Sequence, residues 1–189
     1  MKLQFLLDNK ENLFTAGARA EAAARSAQLA LLLKQAGKAN ALAQQAQALC
    51  EISQCTLQAA ILNLKAQTAF VLGEFQQSAD LAQQAGATAE KQKQFVELAN
   101  AWRLLAEIRL HEGAAAEAVV LLEKVLPIDK QLGLPKKIAE DLHLMAGAKD
   151  KLGQHEEAES CRSRERAIRQ ALGEKLAFGE ALAFGNKLS

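Results

Sequence analysis

The sequence predicts an all-α protein built from repeated antiparallel helical hairpins. Composition is the first reason: half of the 189 residues are hydrophobic, mostly Ala and Leu, while Pro occurs twice and Tyr is absent. Ala and Leu are strong helix formers, and few β-branched residues compete with them. Aromatic residues make up only 4% of the chain, so the core must consist of small aliphatic side chains on closely packed helices.

The second reason is an internal repeat with a period of 40 residues. Gly73, Gly113 and Gly153 are separated by 40 positions each, and Gly133 and Gly173 repeat that interval. The first three glycines share an alanine seven residues earlier, a large apolar residue eleven earlier and an alanine fourteen earlier. These residues are Ala66, Ala106 and Ala146, then Leu62, Trp102 and Leu142, then Ala59, Ala99 and Ala139. A fixed period of this length is typical of helical-repeat proteins.

Each period predicts a helix, a glycine turn and a second helix. In the central period Ala99, Trp102, Leu105 and Ala106 recur at helical spacing and form one apolar stripe. Glycine suits the turn because the residue after a helix commonly has positive φ, which costs glycine nothing. The alanine seven residues before the turn is expected where the two helices cross, because a larger side chain would hold their backbones apart.

The same patterns predict where the helices lie. We expect helices at 9–21, 23–36, 39–53, 56–72, 75–92, 94–112, 115–132, 135–152, 155–172 and 174–186. Asp8 and Glu11 resemble a capping box that opens the first of them. Gly37 is expected to be the turn glycine of a weaker first unit, although it lies 36 residues before Gly73 instead of 40. Gly17 either breaks the chain there or lies at a close helix crossing.

We therefore expect one domain over residues 1–189. Degenerate N-terminal hairpins occupy 1–56, three clear repeats occupy 57–173, and a capping helix or tail occupies 174–189. Repeat arrays need capped ends, which gives the last segment its simplest role.

The central repeat resembles the tetratricopeptide repeat (TPR) consensus. Its signature positions hold Trp102, Leu105, Ala106, Gly113, Ala118 and Leu122. The common TPR period is about 34 residues, so this chain is more similar to the long-repeat TPRs of kinesin light chains, receptor-coupling adaptors and bacterial peptide-sensing regulators. The resemblance implies a right-handed superhelix of hairpins, a TPR-like α-α solenoid, with the first helix of each hairpin on the concave side.

The resemblance also implies candidate site residues on that concave face. They are Asn63, Gln67, Arg103, Glu107 and His143, with Gly147 at the last equivalent position. Leu64, Leu104 and Leu144 are expected beside them as partly exposed apolar contacts. A polar floor of this kind suits an extended peptide, whose backbone needs donors and acceptors. We therefore expect a protein–protein interaction module or adaptor whose groove binds a peptide or a segment of another protein.

Two other functions remain open at this stage. The chain could be a scaffold or oligomerisation protein, including a homodimer that forms through a tail containing Phe178 and Phe184. It could also be a regulatory TPR protein that senses a small ligand or peptide.

Composition and motifs argue against other classes of function. The formal net charge of +1 gives no general attraction to nucleic acid or to an anionic membrane. His111, His143 and His155 are isolated, so no metal-ligand spacing occurs. No phosphate-binding glycine loop or nucleophile elbow is present, and we expect no enzyme, cofactor or catalytic residue. The apolar run at the N-terminus is short, which favours a cytoplasmic protein, as in bacterial relatives of the long-repeat class.

The three cysteines, Cys50, Cys55 and Cys161, are expected to be buried thiols that pack between helices. An odd number without a short repeated spacing argues against a disulfide framework. A separation of five residues would also put Cys50 and Cys55 on different faces of one continuous helix.

Overall fold

The computed structural model describes residues 2–173, and of residues 2–14 only the backbone. About 85% of this part of the chain is helical, and it contains eight helices and no strand. The predicted all-α class is therefore confirmed. The expected helix at 174–186, with Phe178 and Phe184, lies outside the described residues.

The helices follow one another through short connections. In chain order they are α1 (Lys2–Leu32), α2 (Ala36–Ser53), α3 (Gln58–Val71), α4 (Phe75–Lys91), α5 (Phe95–His111), α6 (Ala115–Gln131), α7 (Pro135–Lys151) and α8 (His155–Ala171). From α3 onward each predicted boundary lies within two residues of the observed one.

The connections show that the 40-residue repeat consists of two similar halves. Helices α4 to α8 have 17 residues each. The residue with positive φ in each turn recurs every 20 positions: Gly73, Lys93, Gly113, Gly133, Gly153 and Gly173. The next N–H closes the turn, as when Glu74 donates to the carbonyl of Ala69 at 2.9 Å. Lys93 adopts this conformation without glycine, whereas the glycines from Gly113 to Gly173 already show the 20-residue interval in the sequence.

The chain divides into two compact units, Met1–Ile108 (unit 1) and Arg109–Ser189 (unit 2). In unit 1, α1 packs on α2 and α3 packs on α4. Alanine makes up most of the buried apolar positions there, and Ile61, Leu62 and Leu64 supply larger side chains. This alanine-rich core brings neighbouring helices close together.

The hairpin of α3 and α4 shows how closely the helices approach. Ala66 is fully buried and Ala79 is 4% exposed. The Ser78 hydroxyl on α4 donates to the Ala66 carbonyl on α3 at 2.8 Å. This contact between a short side chain and the opposite backbone places Ala66 at the helix crossing, as the sequence predicts.

Unit 2 contains the end of α5 together with α6, α7 and α8, and α7 packs against both α6 and α8. Leu122 and Val125 of α6 and Leu142 of α7 are fully buried. Ala158 and Cys161 of α8 complete the inner side of that helix, whereas its remaining surface is charged.

The N-terminal region differs from the prediction in three places. Residues 9–36 do not form two helices, because α1 is continuous from Lys2 to Leu32 and contains Asp8 and Glu11. Gly17 lies within α1, and a Cβ there would be 3.7 Å from Ser53 Oγ, which favours the close-crossing interpretation. A single glycine costs a helix about 1 kcal/mol, which packing on α2 can offset.

Gly37 is not the turn residue of the first hairpin, as had been expected. The positive φ belongs to Lys34, at 57°, and Gly37 lies in the first turn of α2. A left-handed backbone conformation costs a residue with a side chain about 1–2 kcal/mol. The packing of the hairpin must offset this cost at Lys34, and Gly37 is not needed for the turn.

Cys50 and Cys55 are not two thiols but a disulfide, with their Cα atoms 4.9 Å apart. The argument from helical faces assumed one continuous helix, although the predicted helix 39–53 ends at the same residue as α2, Ser53. Gln54 then takes φ 51°. This residue reverses the chain, and the Cys55 N–H then donates to the Cys50 carbonyl at 3.0 Å. Cys161 remains a buried free thiol, as expected.

Two glycines of α7 and its turn provide a matched stability test. Gly147 lies in the helix interior, and a Cβ there would meet nothing within 4 Å. Gly147→Ala should therefore stabilise the protein by about 0.5–1 kcal/mol. Gly153→Ala, at φ 75°, should destabilise it by about 1 kcal/mol. Urea midpoints measure both, and a rise for both variants would mean that α7 does not end before Gly153.

Candidate functional site

The predicted concave-face residues of unit 1 differ in their exposure. Gln67 is exposed and Glu107 is half-buried. Asn63 and Arg103, expected to be solvated contacts, are only 4% and 5% exposed. Leu64 and Leu104 are buried as well, so the expectation of partly exposed leucines is wrong for these two.

Asn63 and Arg103 are buried because the polar groups of α3 and α5 bind one another. The Asn63 amide donates to the Glu97 carbonyl at 2.9 Å and to Glu97 Oε2 at 2.8 Å. Asn100 donates to the same carboxylate at 3.5 Å, and Arg103 Nη1 donates to Asn100 Oδ1 at 3.0 Å. The result is a polar row that joins α3 to α5 within unit 1. Asn63 Oδ1 is buried and has no hydrogen-bond partner among the described residues.

His143 and Gly147 lie in unit 2 and are both exposed. His143 Nδ1 is 3.3 Å from Glu165 Oε2, and Arg169 donates to the other oxygen of that carboxylate at 3.0 Å. The structure thus brings Asn63 and Arg103 into one network in unit 1, and it places His143 against a carboxylate of α8 in unit 2.

The arginines of α8 are largely engaged with acidic residues. Arg162 pairs with Asp150 and Glu159, and Arg166 Nη2 is 2.6 Å from Glu159. On this exposed face of α8, acidic and basic side chains thus offset one another.

A cavity that the sequence did not reveal lies at the connection between α2 and α3. Elsewhere in the described chain the next helix begins two residues after the positive-φ residue, but α3 begins at Gln58, four residues after Gln54. Helix α3 is also short, with 14 residues instead of 17. The space left beside this connection is a cavity of about 320 Å³ within unit 1.

The cavity has an apolar floor and an amide-rich rim. Ile61, Leu62 and the Cys50–Cys55 disulfide form the apolar part. The polar lining consists of Gln47, Glu51, Gln54, Gln58 and Gln92. The site therefore combines an apolar surface with several groups that can both donate and accept hydrogen bonds.

The polar groups of the rim fall into two sets. Gln47 donates to Glu51 Oε1 at 2.9 Å and accepts a hydrogen bond from Lys65 Nζ, so these groups already satisfy one another. The side-chain amides of Gln54, Gln58 and Gln92 make no hydrogen bond to any other described residue, and all three residues are exposed. These three amides are available to a ligand.

One sequence signal did point to this region. The spacing from Gly37 to Gly73 breaks the 40-residue period, and the segment between them holds both Cys50 and Cys55. Most of that irregularity arises because Gly37 lies three residues after the actual turn residue, Lys34. The remaining deficit is a single residue, between Gln54 and Gly73, which are 19 positions apart instead of 20. Periodicity alone could not show that the connection leaves a cavity.

Cys161 lies apart from the cavity, in unit 2. It is 4% exposed, and burial raises the pKa of its thiol above the ordinary value, although Arg164 and Lys149 act against the rise. Iodoacetamide at pH 8 should therefore modify Cys161 slowly in the native protein and rapidly in urea, because the thiolate is the nucleophile. Mass spectrometry of the alkylated peptide measures the rates, and equal rates would mean that α8 does not cover this thiol.

The raised pKa of Cys161 also determines whether its contribution to folding stability rises or falls with pH. The folded state keeps the thiol proton to higher pH than the unfolded state, so the contribution of Cys161 to stability falls as pH rises above 9.0. Cys161→Ala should remove that part of the alkaline decline in urea midpoint.

The described residues contain no group of three or more His, Cys, Asp or Glu side chains placed to hold a metal ion. None of the described helices is long and apolar enough to cross a membrane.

No family model matches the sequence, and no curated protein matches it. Solved structures do match. BtubC from P. vanneervenii is 18% identical, with a TM-score of 0.69 over 82% of this chain and 65% of that one. Aspartyl phosphate phosphatase F from Bacillus subtilis is 17% identical, with a TM-score of 0.74 over 86% of this chain and 44% of that one.

A third match is a putative kinesin light chain from Podosopora anserina, whose own TPR-like repeats are nearly identical to one another. It is 23% identical to this chain, with a TM-score of 0.61 over 83% of this chain and 77% of that one. The chain thus spans less than two thirds of BtubC and less than half of the phosphatase. At these identities the matches show the fold, which is a TPR-like helical repeat, as the resemblance of the central repeat implies.

Proposed function

We propose that this chain is a protein-interaction module and that the cavity of unit 1 takes a short, uncharged peptide segment of its partner. The observation that carries the proposal is the set of three available amides, those of Gln54, Gln58 and Gln92, around an apolar floor. The TPR-like fold supports it, because repeat proteins of this kind present extended surfaces to partners.

The chemistry of the lining indicates the class of ligand. A glutamine side chain offers the same donor and acceptor as a peptide unit, so it can satisfy backbone groups that would otherwise be buried unpaired. An apolar side chain of the ligand would lie on Ile61 and Leu62. Glu51 is the one charged residue among the described residues that line the cavity, and the remaining polar lining is made of neutral amides, which suits an uncharged segment. The volume of about 320 Å³ is at the lower end of ligand sites, which run from about 300 to 1,000 Å³.

The predicted concave-face residues keep separate roles in this proposal. In unit 1, Gln67 is exposed and Glu107 is half-buried, and both would contact a longer segment of the partner. In unit 2, the exposed His143 is proposed as a separate contact. Asn63 and Arg103 would position α3 and α5 through their polar row. We further propose that the adaptor has no nucleic-acid or membrane partner, because a formal net charge of +1 gives no general attraction to either.

An NMR titration tests the proposal with a defined probe, N-acetyl-Leu-Leu-amide. In ¹⁵N-labelled protein the side-chain NH₂ resonances of Gln54, Gln58 and Gln92 should shift together and saturate. Gln58→Ala should weaken binding about two- to tenfold, the usual value of one hydrogen bond. Gln83→Ala, an exposed glutamine on α4 outside the cavity, is the control and should leave affinity unchanged. Shifts scattered over the surface glutamines would reject the cavity as the site.

A scaffold function is a second candidate, supported by a different surface. Helices α1 and α3 run in the same direction, because each is joined to α2 by a short reversal of the chain. Their C-terminal ends expose Leu32 (80%), Leu33 (58%), Val71 (61%) and Leu72 (44%). Apolar side chains grouped in this way can support self-association. Sedimentation equilibrium of the wild type and of Leu32→Lys tests this: a dimer that the variant loses would favour the scaffold, and a wild-type monomer would reject it.

A further inference from the structure

The Cys50–Cys55 disulfide lies in the wall of the cavity and closes the connection that departs from the regular turn. In the other described connections, the carbonyl that accepts the first helical N–H belongs to the residue directly after the positive-φ residue. Glu74 accepts from Ser78 in this way, directly after Gly73. Between α2 and α3 the acceptor is Leu57, three residues after Gln54. Cys55 and Thr56 are therefore extra residues of the turn.

These two extra residues account for two of the three residues by which α3 is shorter than α4. The third is absent from the chain, because Gly73 follows Gln54 by 19 positions instead of 20. The helix has 14 residues where its neighbour α4 has 17, and at a rise of about 1.5 Å per residue the difference is about 4.5 Å of helix. Cys55 and Gln58, which border the missing turn, both line the cavity. The opening thus occupies the place of a helical turn that the other hairpins possess.

Two contacts hold the connection away from the helix. One is the disulfide to Cys50. The other is a hydrogen bond of 2.8 Å that Gln94 Nε2 donates to the Thr56 carbonyl. The segment Cys55-Thr56-Leu57 contains neither Pro nor Gly, so nothing in its sequence prevents it from joining α3. The disulfide is the covalent part of the restraint.

We infer that the Cys50–Cys55 pair is a redox control on peptide binding at this cavity, an inference that rests on the proposed function. As a disulfide the pair keeps the cavity open. As two thiols it releases the connection to adopt the regular turn, so that Thr56 and Leu57 extend α3 by about half a turn, which narrows the cavity and weakens peptide binding.

The switching reaction is an ordinary thiol–disulfide exchange. A dithiol reductant, or two glutathione thiols, attacks Sγ of Cys55, because Cys55 is half-exposed while Cys50 is 5% exposed. The S–S bond breaks, two S–H groups form, and the reductant leaves as its own disulfide. Cys161 is 4% exposed in unit 2 and takes no part.

Thermodynamic linkage relates the effect of reduction on peptide binding to the effect of peptide on reduction. Couplings between two sites usually change affinity by about 5- to 150-fold. If reduction weakens peptide binding by some factor in this range, saturating peptide must make the disulfide harder to reduce by the same factor. The two measurements check each other.

The first arm of the test needs no ligand. Cα chemical shifts of Thr56 and Leu57 should become helical on reduction with tris(2-carboxyethyl)phosphine. The Cys50→Ser/Cys55→Ser variant should show helical shifts with or without reductant, while Cys161→Ser should behave like the wild type. Identical shifts in oxidised and reduced protein would overturn the inference, because the connection would then not respond to the disulfide.

The second arm measures binding of N-acetyl-Leu-Leu-amide in both redox states. We expect the oxidised protein to bind at least about fivefold more tightly, the lower end of the usual coupling, and the double serine variant to match the reduced protein. Equal binding in both states would overturn the redox control and leave the proposed function standing. Absence of binding in both states would overturn the proposed function and this inference together.

Discussion

Leu142→Ala should lower the free energy of unfolding by about 2–5 kcal/mol, the range for truncating a fully buried leucine. Leu142 is 0% exposed and lies on α7, between the two helices that pack against it, α6 and α8. The loss combines the transfer energy of the removed carbon atoms with the cavity that they leave. Urea titration followed by circular dichroism measures the change.

The matched control is Leu152→Ala, ten residues further along the chain at the end of the same helix. Leu152 is 42% exposed, so we expect a change of less than about 1 kcal/mol. If the two variants had similar midpoints, the inner face of α7 would be assigned incorrectly.

Ala66→Leu should destabilise unit 1 by about 1–3 kcal/mol through overpacking. Ala66 is fully buried, and the Ser78 hydroxyl reaches its carbonyl at 2.8 Å, so α4 leaves no room for three more carbon atoms. Ala106 and Ala146 recur at this register and are buried as well.

Gln67→Leu places the same side chain on the neighbouring exposed position and serves as the control for Ala66→Leu. Its effect should stay within about 0.5 kcal/mol, as is usual for surface positions. A cost for Gln67→Leu that equals the cost for Ala66→Leu would show that helix α3 is rotated from the described register.

Most of the fold could be predicted because one physical signal, the helical spacing of alanine and leucine, repeats along the chain. That signal places α4 within one residue of its observed ends. It fails at Lys34, where the turn lacks glycine, because packing there offsets the cost of positive φ; at Lys93 the predicted helices 75–92 and 94–112 already leave a break. The disulfide was missed because the two cysteines were compared on one continuous helix, although the predicted helices 39–53 and 56–72 leave Cys55 between them.

The candidate site could be predicted only in part, because exposure depends on tertiary contacts. Spacing places Asn63 and Arg103 at equivalent positions of their repeats, but it does not show that Glu97 and Asn100 lie close enough to pair with them. Trp102 is similar: the sequence makes it the large core residue of its repeat, yet it is half-buried. Its indole nitrogen lies 3.9 Å from the position of a Cβ on Gly86.

The predominance of alanine in the core has a consequence for the entropy of folding. Alanine has no side-chain rotamers to lose, whereas a buried leucine or isoleucine gives up about 0.5–1 kcal/mol of rotamer freedom. Ala20, Ala46, Ala66 and Ala106 are fully buried at no such cost. The helices of this protein are held by the proximity of their backbones more than by the fit of particular side-chain shapes. In such a core no single side chain determines how the helices pack. A helix can therefore gain or lose a turn at its end without requiring the other helices to repack.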